Sequence, residues 1–485
     1  MTGHPRPAGP VRGSGVGLAG LDADELWSAL RAAAAGSRAG AARAVADRCT
    51  VAGSARLGWV SPPPWPVVDS GVAAVRAALG VPDGAEVVLL GTGGWCFAAR
   101  ALIETIGGSA GLTPLDSLDP AAIGRVLDPR AGTPRGVLAV SGSGTTLETR
   151  LLAGAVPPGG GGRLVWLRDE GAPPDAFALS PRGVPDQVAM LGAPLSTAFL
   201  TAAAVLDAAA LAAAYPRLVA RCHRIGLAAA RRAVAVPTQG APRIRIVVPS
   251  WGGPGLRNWL LQLGRQVLGG KTDDFRPTVE VTADDVGSVP PDVVLDLGEL
   301  RRDLPALIEG LYAAGVFVAC VGIRAGLDVV DHPNVRAYKD RLAHACADRP
   351  SRRPVAAADL PGLAATWLTR HPELTRLHVV GYWSAAARTL PSAGRFAAVT
   401  GRPCEVHEGS AWNHHSFQAV YADPTVAVLI VTTDTDTGAS PPVRAAARTL
   451  HTIAAATHGS LPERSLLVTT GHGRSGRPAA VAGGD

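Results

Sequence analysis

Short apolar runs recur along this chain, each closed by a glycine- or hydroxyl-rich turn and followed by a helix-length segment. Few architectures accept that rhythm. Glu86-Val87-Val88-Leu89-Leu90 ends in Gly91-Thr92-Gly93-Gly94, and residues 95–106 then read as a helix. Gly136-Val137-Leu138-Ala139-Val140 and Arg163-Leu164-Val165-Trp166-Leu167 are further strand runs, and helices are expected over 196–214 and 215–234. The rhythm restarts with strands at 244–249, 292–297 and 316–321, helices at 256–268 and 302–314, and late strands at 377–380 and 426–431. Apolar runs of strand length alternating with helices predict an α/β fold of doubly wound parallel sheets, with ligands at the carboxyl ends of the strands. The expected units are a helical extension over 21–49, a first domain over 50–236 and a second over 237–470. Disordered tails are expected at 1–20 and 471–485, where Pro, Gly and polar residues dominate.

The run at 136–140 leads into Ser141-Gly142-Ser143-Gly144-Thr145-Thr146-Leu147-Glu148-Thr149, five hydroxyl side chains and two glycines in nine residues. Strand, hydroxyl-rich turn and helix form an anion-binding geometry. The first amides of the helix have no partners, the helix dipole favours negative charge, and Ser and Thr add donors. Capping alone needs one hydroxyl, so a bound phosphate is the reading this loop favours. The spacing is neither G-x-G-x-x-G nor a P-loop ending in Gly-Lys-Ser/Thr.

Charge and cysteine usage narrow the class. The net charge is +6, with Lys271 and Lys339 as the lysines, and no basic run is interleaved with aromatics, so nucleic acid is not an expected partner. Six cysteines (Cys49, Cys96, Cys222, Cys320, Cys346, Cys404) contain no C-x-x-C pair, which argues against a zinc ribbon or a disulfide framework. No apolar signal segment opens the chain, and the apolar stretch at 196–214 reads as a buried helix. A cytoplasmic protein without membrane association or cofactor is expected.

Three motifs in this order resemble the phosphoglucose isomerase family, whose members carry SIS-type sugar-isomerase domains. Gly91-Thr92-Gly93-Gly94-Trp95 is similar to the family's Gly-Ile-Gly-Gly-Ser turn. Ser141 to Thr149 is similar to its Ser-Lys-Ser/Thr-x-Thr-Thr-x-Glu-Thr phosphate loop. Trp259-Leu260-Leu261-Gln262-Leu263 with Gly269 and Lys271 is similar to its Trp-x-x-Gln-Leu-x-x-Glu-Ser-x-Gly-Lys helix. The resemblance implies two flavodoxin-like SIS domains, a homodimer and a phosphorylated small-molecule substrate. It implies phosphate held by Ser141, Ser143, Thr146 and Thr149, with Gly93 and Gly94 near the sugar; Thr145, Gln262 and Lys271 are further substrate- or phosphate-binding candidates. Ser384, after the strand at 377–380, is a further candidate contact.

The departures bear on chemistry. Trp95 stands where the family has Ser, Gly142 where it has Lys, Gln187 near where it has Arg, and Gln266 where it has the catalytic Glu. Aldose–ketose isomerisation needs a base, and a carboxamide is not one. The other polar constellation, His407-Glu408-Gly409-Ser410-Ala411-Trp412-Asn413-His414-His415-Ser416-Phe417-Gln418, places three histidines in nine residues. It reads as acid–base machinery (His414 or His415, with Gln418), as a structural loop, or as a metal site of His407, Glu408 and His414 or His415. No metal is expected. The catalytic candidates are therefore His414, His415, Gln266 and Gln418. Three functions remain open: isomerase-like proton transfer with altered chemistry, a non-catalytic sugar-phosphate sensor, and a biosynthetic enzyme that recruited the fold for group transfer or ligation.

Overall fold

The structure is a computed structural model that describes residues 17–51, 53–80, 86–107, 111–127, 136–156, 163–169, 176–179, 189–283, 290–344, 354–382, 390–433 and 441–470. Most of both expected tails, the segment containing Gln187, and Ser384 lie outside the described residues.

The expected N-terminal extension is helical. α1 (Ala23–Ala34) starts with a reciprocal cap, in which the Glu25 amide donates to Asp22 and the Asp22 amide donates to the Glu25 carboxylate. α2 (Gly40–Asp47) and α3 (Trp65–Leu79) follow.

The first sheet contains β1 (Val87–Leu90), α4 (Gly94–Ile106), β2 (Leu112–Leu115), α5 (Pro120–Val126), β3 (Gly136–Val140), α6 (Leu147–Gly154), β4 (Arg163–Arg168) and β5 (Phe177–Ala178). All neighbours are parallel and the spatial order is β2-β1-β3-β4-β5. This 2-1-3-4-5 winding is the flavodoxin-like order, and it opens a crevice where the winding reverses, between β1 and β3. Alternate residues of β1 feed opposite cores. Val87 and Leu89 pack with the helices on one face, and Val88 and Leu90 with those on the other.

The next element differs from expectation. Residues 196–234 form one element, α7 (Thr197–Ala233), broken at Asp207 rather than near 214. Asp207 leaves helical geometry (φ −161°, ψ 95°), and its carboxylate accepts from the Ala210 amide at 2.9 Å, so it recaps the second segment.

The second half holds β6 (Arg243–Val247), α8 (Pro254–Leu268), β7 (Thr278–Thr282), β8 (Val293–Asp296), α9 (Leu304–Arg324), α10 (Pro333–His344), α11 (Leu360–Leu368), β9 (Arg376–Gly381), α12 (Ala393–Thr400), β10 (Cys404–Glu408), α13 (Gly409–His415), α14 (Phe417–Ala422), β11 (Val426–Thr433), α15 (Pro441–Ser460) and β12 (Ser465–Thr470). The strand expected over 316–321 is instead the C-terminal part of α9. Its residues are apolar on every side because this part of the helix is buried all round, and burial overrides the strand preference of the valines. The strands of the expected unit 237–470 fall into two parallel sheets, β8-β6-β7 and β10-β9-β11-β12. The second winds as 2-1-3-4, repeating the logic of the first sheet.

Among the described residues, α7 and α9 are long and apolar enough to cross a membrane; they pack on one another within the large core that also takes one face of the first sheet. The opposite face of that sheet shares a core with α15 and with Val428 and Ile430 of β11. The carboxyl ends of the first and last sheets therefore approach one another around α13.

Candidate active site

The Gly91–Gly94 turn is glycine for steric reasons. At Gly91 (φ 149°) a Cβ would lie 2.5 Å from the Val140 carbonyl oxygen. At Gly93 (φ 91°) it would lie 3.1 Å from His414 Nδ1. Between them Thr92 is buried, and its hydroxyl has no hydrogen-bond partner among the described residues.

Across the crevice, the loop after β3 is organised by its own hydroxyls. Ser141 Oγ donates to Thr146 Oγ1 at 2.9 Å, and Ser143 and Thr145 share a hydrogen bond of 2.7 Å. Gly144 (φ 65°) donates its amide to the Ser141 carbonyl, and Thr149 Oγ1 donates to the Val140 carbonyl at 3.5 Å. Thr146 stands at the N-cap of α6 but does not bond the helix amides with its side chain. Thr146 thus leaves the first-turn amides uncapped, and the Glu148 amide turns to its own carboxylate.

A cation approaches the loop from a neighbouring strand. A Cβ on Gly142 would sit 3.2 Å from Trp95 Nε1 and 3.6 Å from Asp169 Oδ2, so Trp95 fills that corner. The Arg168 guanidinium, at the end of β4, lies 2.7–2.8 Å from where a Gly144 Cβ would be. Arg168 is absent from the sequence candidates, because its approach to the loop depends on β4 lying beside β3. Its place at a strand's carboxyl end was the available signal.

α13 lies across the ends of these strands. At its start Glu408 does not cap its own helix; its carboxylate accepts from Ser117 Oγ, two residues beyond β2. At its last turn His414 faces Gly93, beyond β1, and His414 Nε2 lies 3.4 Å from Glu148 Oε1 of α6, beyond β3; the contact is an ion-pair distance without an aligned hydrogen bond. The separations agree: six residues of helix advance about 9 Å, and two strand spacings span about 9.6 Å. Tyr382, directly after β9, fixes the orientation. Its ring occupies the space beside Gly409, and its hydroxyl donates to Asn413 Oδ1 at 2.8 Å.

Two carboxyls here are shifted in opposite directions. Burial raises the pKa of Glu148, but His414, with the Glu148 backbone amide and Lys339, more than offsets it and holds the group below its ordinary range. Burial pushes Glu408 above its ordinary range; Asp116 and Asp119 add to the shift, while Ser117 and Arg100 oppose it.

The remaining sequence candidates separate into two groups. Gln262 and Gln266 are buried on α8, and Gln262 Nε2 donates to Gln266 Oε1 at 2.7 Å. α8 begins beside the C-terminal half of α4, with Gly253 against Glu104 and Gly255 against Ala101. It therefore runs antiparallel to α4 and carries both glutamines toward the Gly93–Gly94 end. The other three are occupied elsewhere. The Lys271 ammonium donates to the Asp328 carbonyl, and burial lowers its pKa to about 7 despite Asp328 and Asp331 nearby. Gln418 donates to the carbonyls of Gly269 and Gly270 and accepts from the amides of Asn334 and Val335, so it ties α14 to the end of α8 and the start of α10. His415 is buried, with Nδ1 2.6 Å from Ser416 Oγ and its ring 5.1 Å from that of His407.

His415 belongs to an ion-pair network rather than to the crevice. Arg265 Nη2 donates to both Glu405 oxygens at 2.8 and 2.9 Å, and Arg265 Nη1 donates to Ser416 at 2.8 Å. His407 Nε2 lies 3.0 Å and His378 Nε2 3.8 Å from Glu405. The metal set His407, Glu408 and His414 or His415 does not converge, since Glu408 turns to Ser117 and His414 to Gly93. His378, Glu405 and His407 do converge, with ligand atoms within 4.8 Å of one another. Their hydrogen bonding opposes a metal. Trp412 Nε1 donates to His378 Nδ1 at 3.0 Å, so the neutral ring carries its proton on Nε2, the nitrogen facing Glu405. Arg265 already balances the carboxylate. Burial lowers His378 to about 3, and Arg265 with the histidines holds Glu405 well below the carboxylate range against desolvation.

The sheet and crevice define a doubly wound parallel α/β protein with an anion-type loop at its switch point. No protein-family model matches the chain, and no curated protein matches it in sequence. Among solved structures it is similar to a glucose-6-phosphate isomerase from Chlamydia trachomatis, at 13% identity and TM-score 0.46 over 72% of this chain and 89% of that one. A hypothetical protein from Thermus thermophilus matches at 18% identity and TM-score 0.45, over 66% of this chain and 94% of that one. The tagatose-6-phosphate ketose/aldose isomerase of Escherichia coli matches at 13% identity and TM-score 0.29, over 84% and 90%. Overlaps of this depth carry no weight for function.

Proposed function

We propose that this chain is an enzyme that binds a phosphorylated sugar, or a related phosphate ester, in the crevice between β1 and β3 and moves a proton on it. The observation that carries this reading is convergence: the Gly93 turn, the Ser141–Thr149 loop and the His414–Glu148 pair meet at one strand edge. The phosphate sits on the loop hydroxyls and on first-turn amides of α6 that Thr146 leaves uncapped, with Arg168 supplying cationic charge. Gly93 and Gly94 let the ligand approach the backbone. His414, held by an ionised Glu148, is placed to pass a proton to or from a substrate oxygen.

A non-catalytic sensor is the second reading, favoured by the Gln262–Gln266 pair, which is uncharged where a base is expected. Thermal stabilisation by glucose 6-phosphate, fructose 6-phosphate and inorganic phosphate tests the binding step. A ligand at a hundredfold its Kd stabilises the fold by about 2.7 kcal/mol. The double variant Ser143→Ala/Thr146→Ala should lose that gain. If neither sugar phosphate stabilises the protein, the phosphate reading fails.

A further inference from the structure

We propose that Glu408 is the proton-transferring carboxyl of this crevice, standing in for the carboxylate that Gln266 lacks. The inference rests on the proposed sugar-phosphate reading and adds the missing base to it. Three placements carry it. Glu408 reaches over the end of β2, in the row β2-β1-β3 whose third member bears the phosphate loop. It ends β10 and stands at the N-cap of α13, whose last turn carries His414, so one short helix links a carboxyl at the end of β2 to an imidazole at the ends of β1 and β3. As the N-cap residue of α13 it makes no cap hydrogen bond, so capping does not account for its side chain.

The surroundings suit a base of raised proton affinity. Asp116 and Asp119 face Glu408 from the loop after β2, Arg100 approaches from α4 while paired with Asp116 at 2.9 Å, and Ser117 donates to the carboxylate. Ser117 is itself fixed, because its Oγ accepts from the Asp119 amide at 3.0 Å.

The chemistry balances without a co-reactant. The Glu408 carboxylate takes a proton from the carbon beside a carbonyl, and the C–H electron pair becomes the double bond of an enediol. His414, as the imidazolium, protonates the former carbonyl oxygen. Glu408 then returns its proton to the neighbouring carbon, while the hydroxyl on the other carbon gives its proton back to His414. Hydrogens move within the substrate, and both side chains end as they began.

The test follows deuterium uptake beside the carbonyl by NMR, with fructose 6-phosphate and glucose 6-phosphate in deuterium oxide. Wild-type protein should incorporate deuterium. Glu408→Gln should slow uptake by about a hundredfold or more while retaining stabilisation by the same ester, and Glu408→Asp should recover part of the rate. If Glu408→Gln does not fold, Ser117→Ala decides. Losing that donor should move the acid limb of the pH–rate profile upward, a change that mere packing would not produce. Wild-type uptake by Glu408→Gln, an unmoved profile in Ser117→Ala, or no uptake by wild type with an ester that stabilises it would overturn the proposal. Stabilisation reports on the phosphate reading separately: if it is absent, both fall; if it persists without uptake, only the role of Glu408 falls.

Discussion

On the last turn of α13, His414 faces Gly93 and Glu148 across the crevice, whereas His415 turns about 100° away into the network of Arg265, Glu405, His378 and His407. One ring keeps about a fifth of its side-chain surface, and the other keeps almost none. The crevice ring has an ionised partner and an open side. The buried ring bonds Ser416 and packs on His407, and burial, with His407 and Arg265 beside it, holds its pKa well below the ordinary range. The contrast teaches that a histidine-rich segment is two different devices when a helix divides it between faces. One face is free to do chemistry, and the other joins α13 to α8 and the edge of the last sheet.

The comparison breaks first at Glu405. Glu405→Ala leaves the Arg265 guanidinium buried without its carboxylate and should destabilise the fold by about 3 kcal/mol in urea titration, at the low end for a buried pair because Glu405 keeps solvent access. Ester-dependent stabilisation should survive. The paired substitutions His415→Ala and His414→Ala should then diverge. His415→Ala should cost about 2 kcal/mol by leaving Ser416 and its neighbours poorly satisfied, with deuterium uptake intact. His414→Ala should cost little stability and slow uptake by about a hundredfold. Equal behaviour of the two variants would erase the distinction.

The acid response sharpens the same contrast. The folded pKa of His378 is about 3, below the unfolded value near 6.5, so the unfolded chain binds the proton first. Its contribution is complete above the unfolded pKa and is lost as pH falls toward the folded one, at about 1.4 kcal/mol per pH unit. His415 is lowered in the same direction, and Glu405 adds to the loss at still lower pH. Melting temperature should therefore drop steadily below about pH 6.5, and His378→Gln should flatten that limb. A flat wild-type profile from pH 7 to 5 would contradict buried neutral imidazoles.

What the chain declares about itself follows the range of the interaction. The strand runs at 86–90, 136–140 and 426–431, the Gly91–Gly94 turn and the Ser141–Thr149 loop are local, and the parallel α/β architecture is legible from them. Residues 316–321 mislead because the same valines suit a buried strand or a buried helix, and only the neighbours decide. Lys271 and Gln418 lie in the right kind of motif, yet Lys271 is drawn to Asp328 and Gln418 to four backbone groups, contacts made across long sequence separations. Glu408 was visible as a residue type, but its meeting with Ser117 depends on two distant segments packing together.

The smallest effect belongs to the residue least visible in sequence, Arg168. The loop holds Gly142 where a lysine would supply charge, and Trp95 and Asp169 close that corner. The Arg168 guanidinium instead reaches the same loop at Gly144 from β4. Arg168→Gln should weaken sugar-phosphate stabilisation by about tenfold in apparent Kd, equivalent to about 1.4 kcal/mol. It should also reduce the sensitivity of binding to added salt, since a screened cation has been removed. Gly142→Lys in the same background should fail to restore binding, because its side chain would have to displace Trp95. Full rescue by that lysine would mean that the corner is open and that the loop takes its charge from either position.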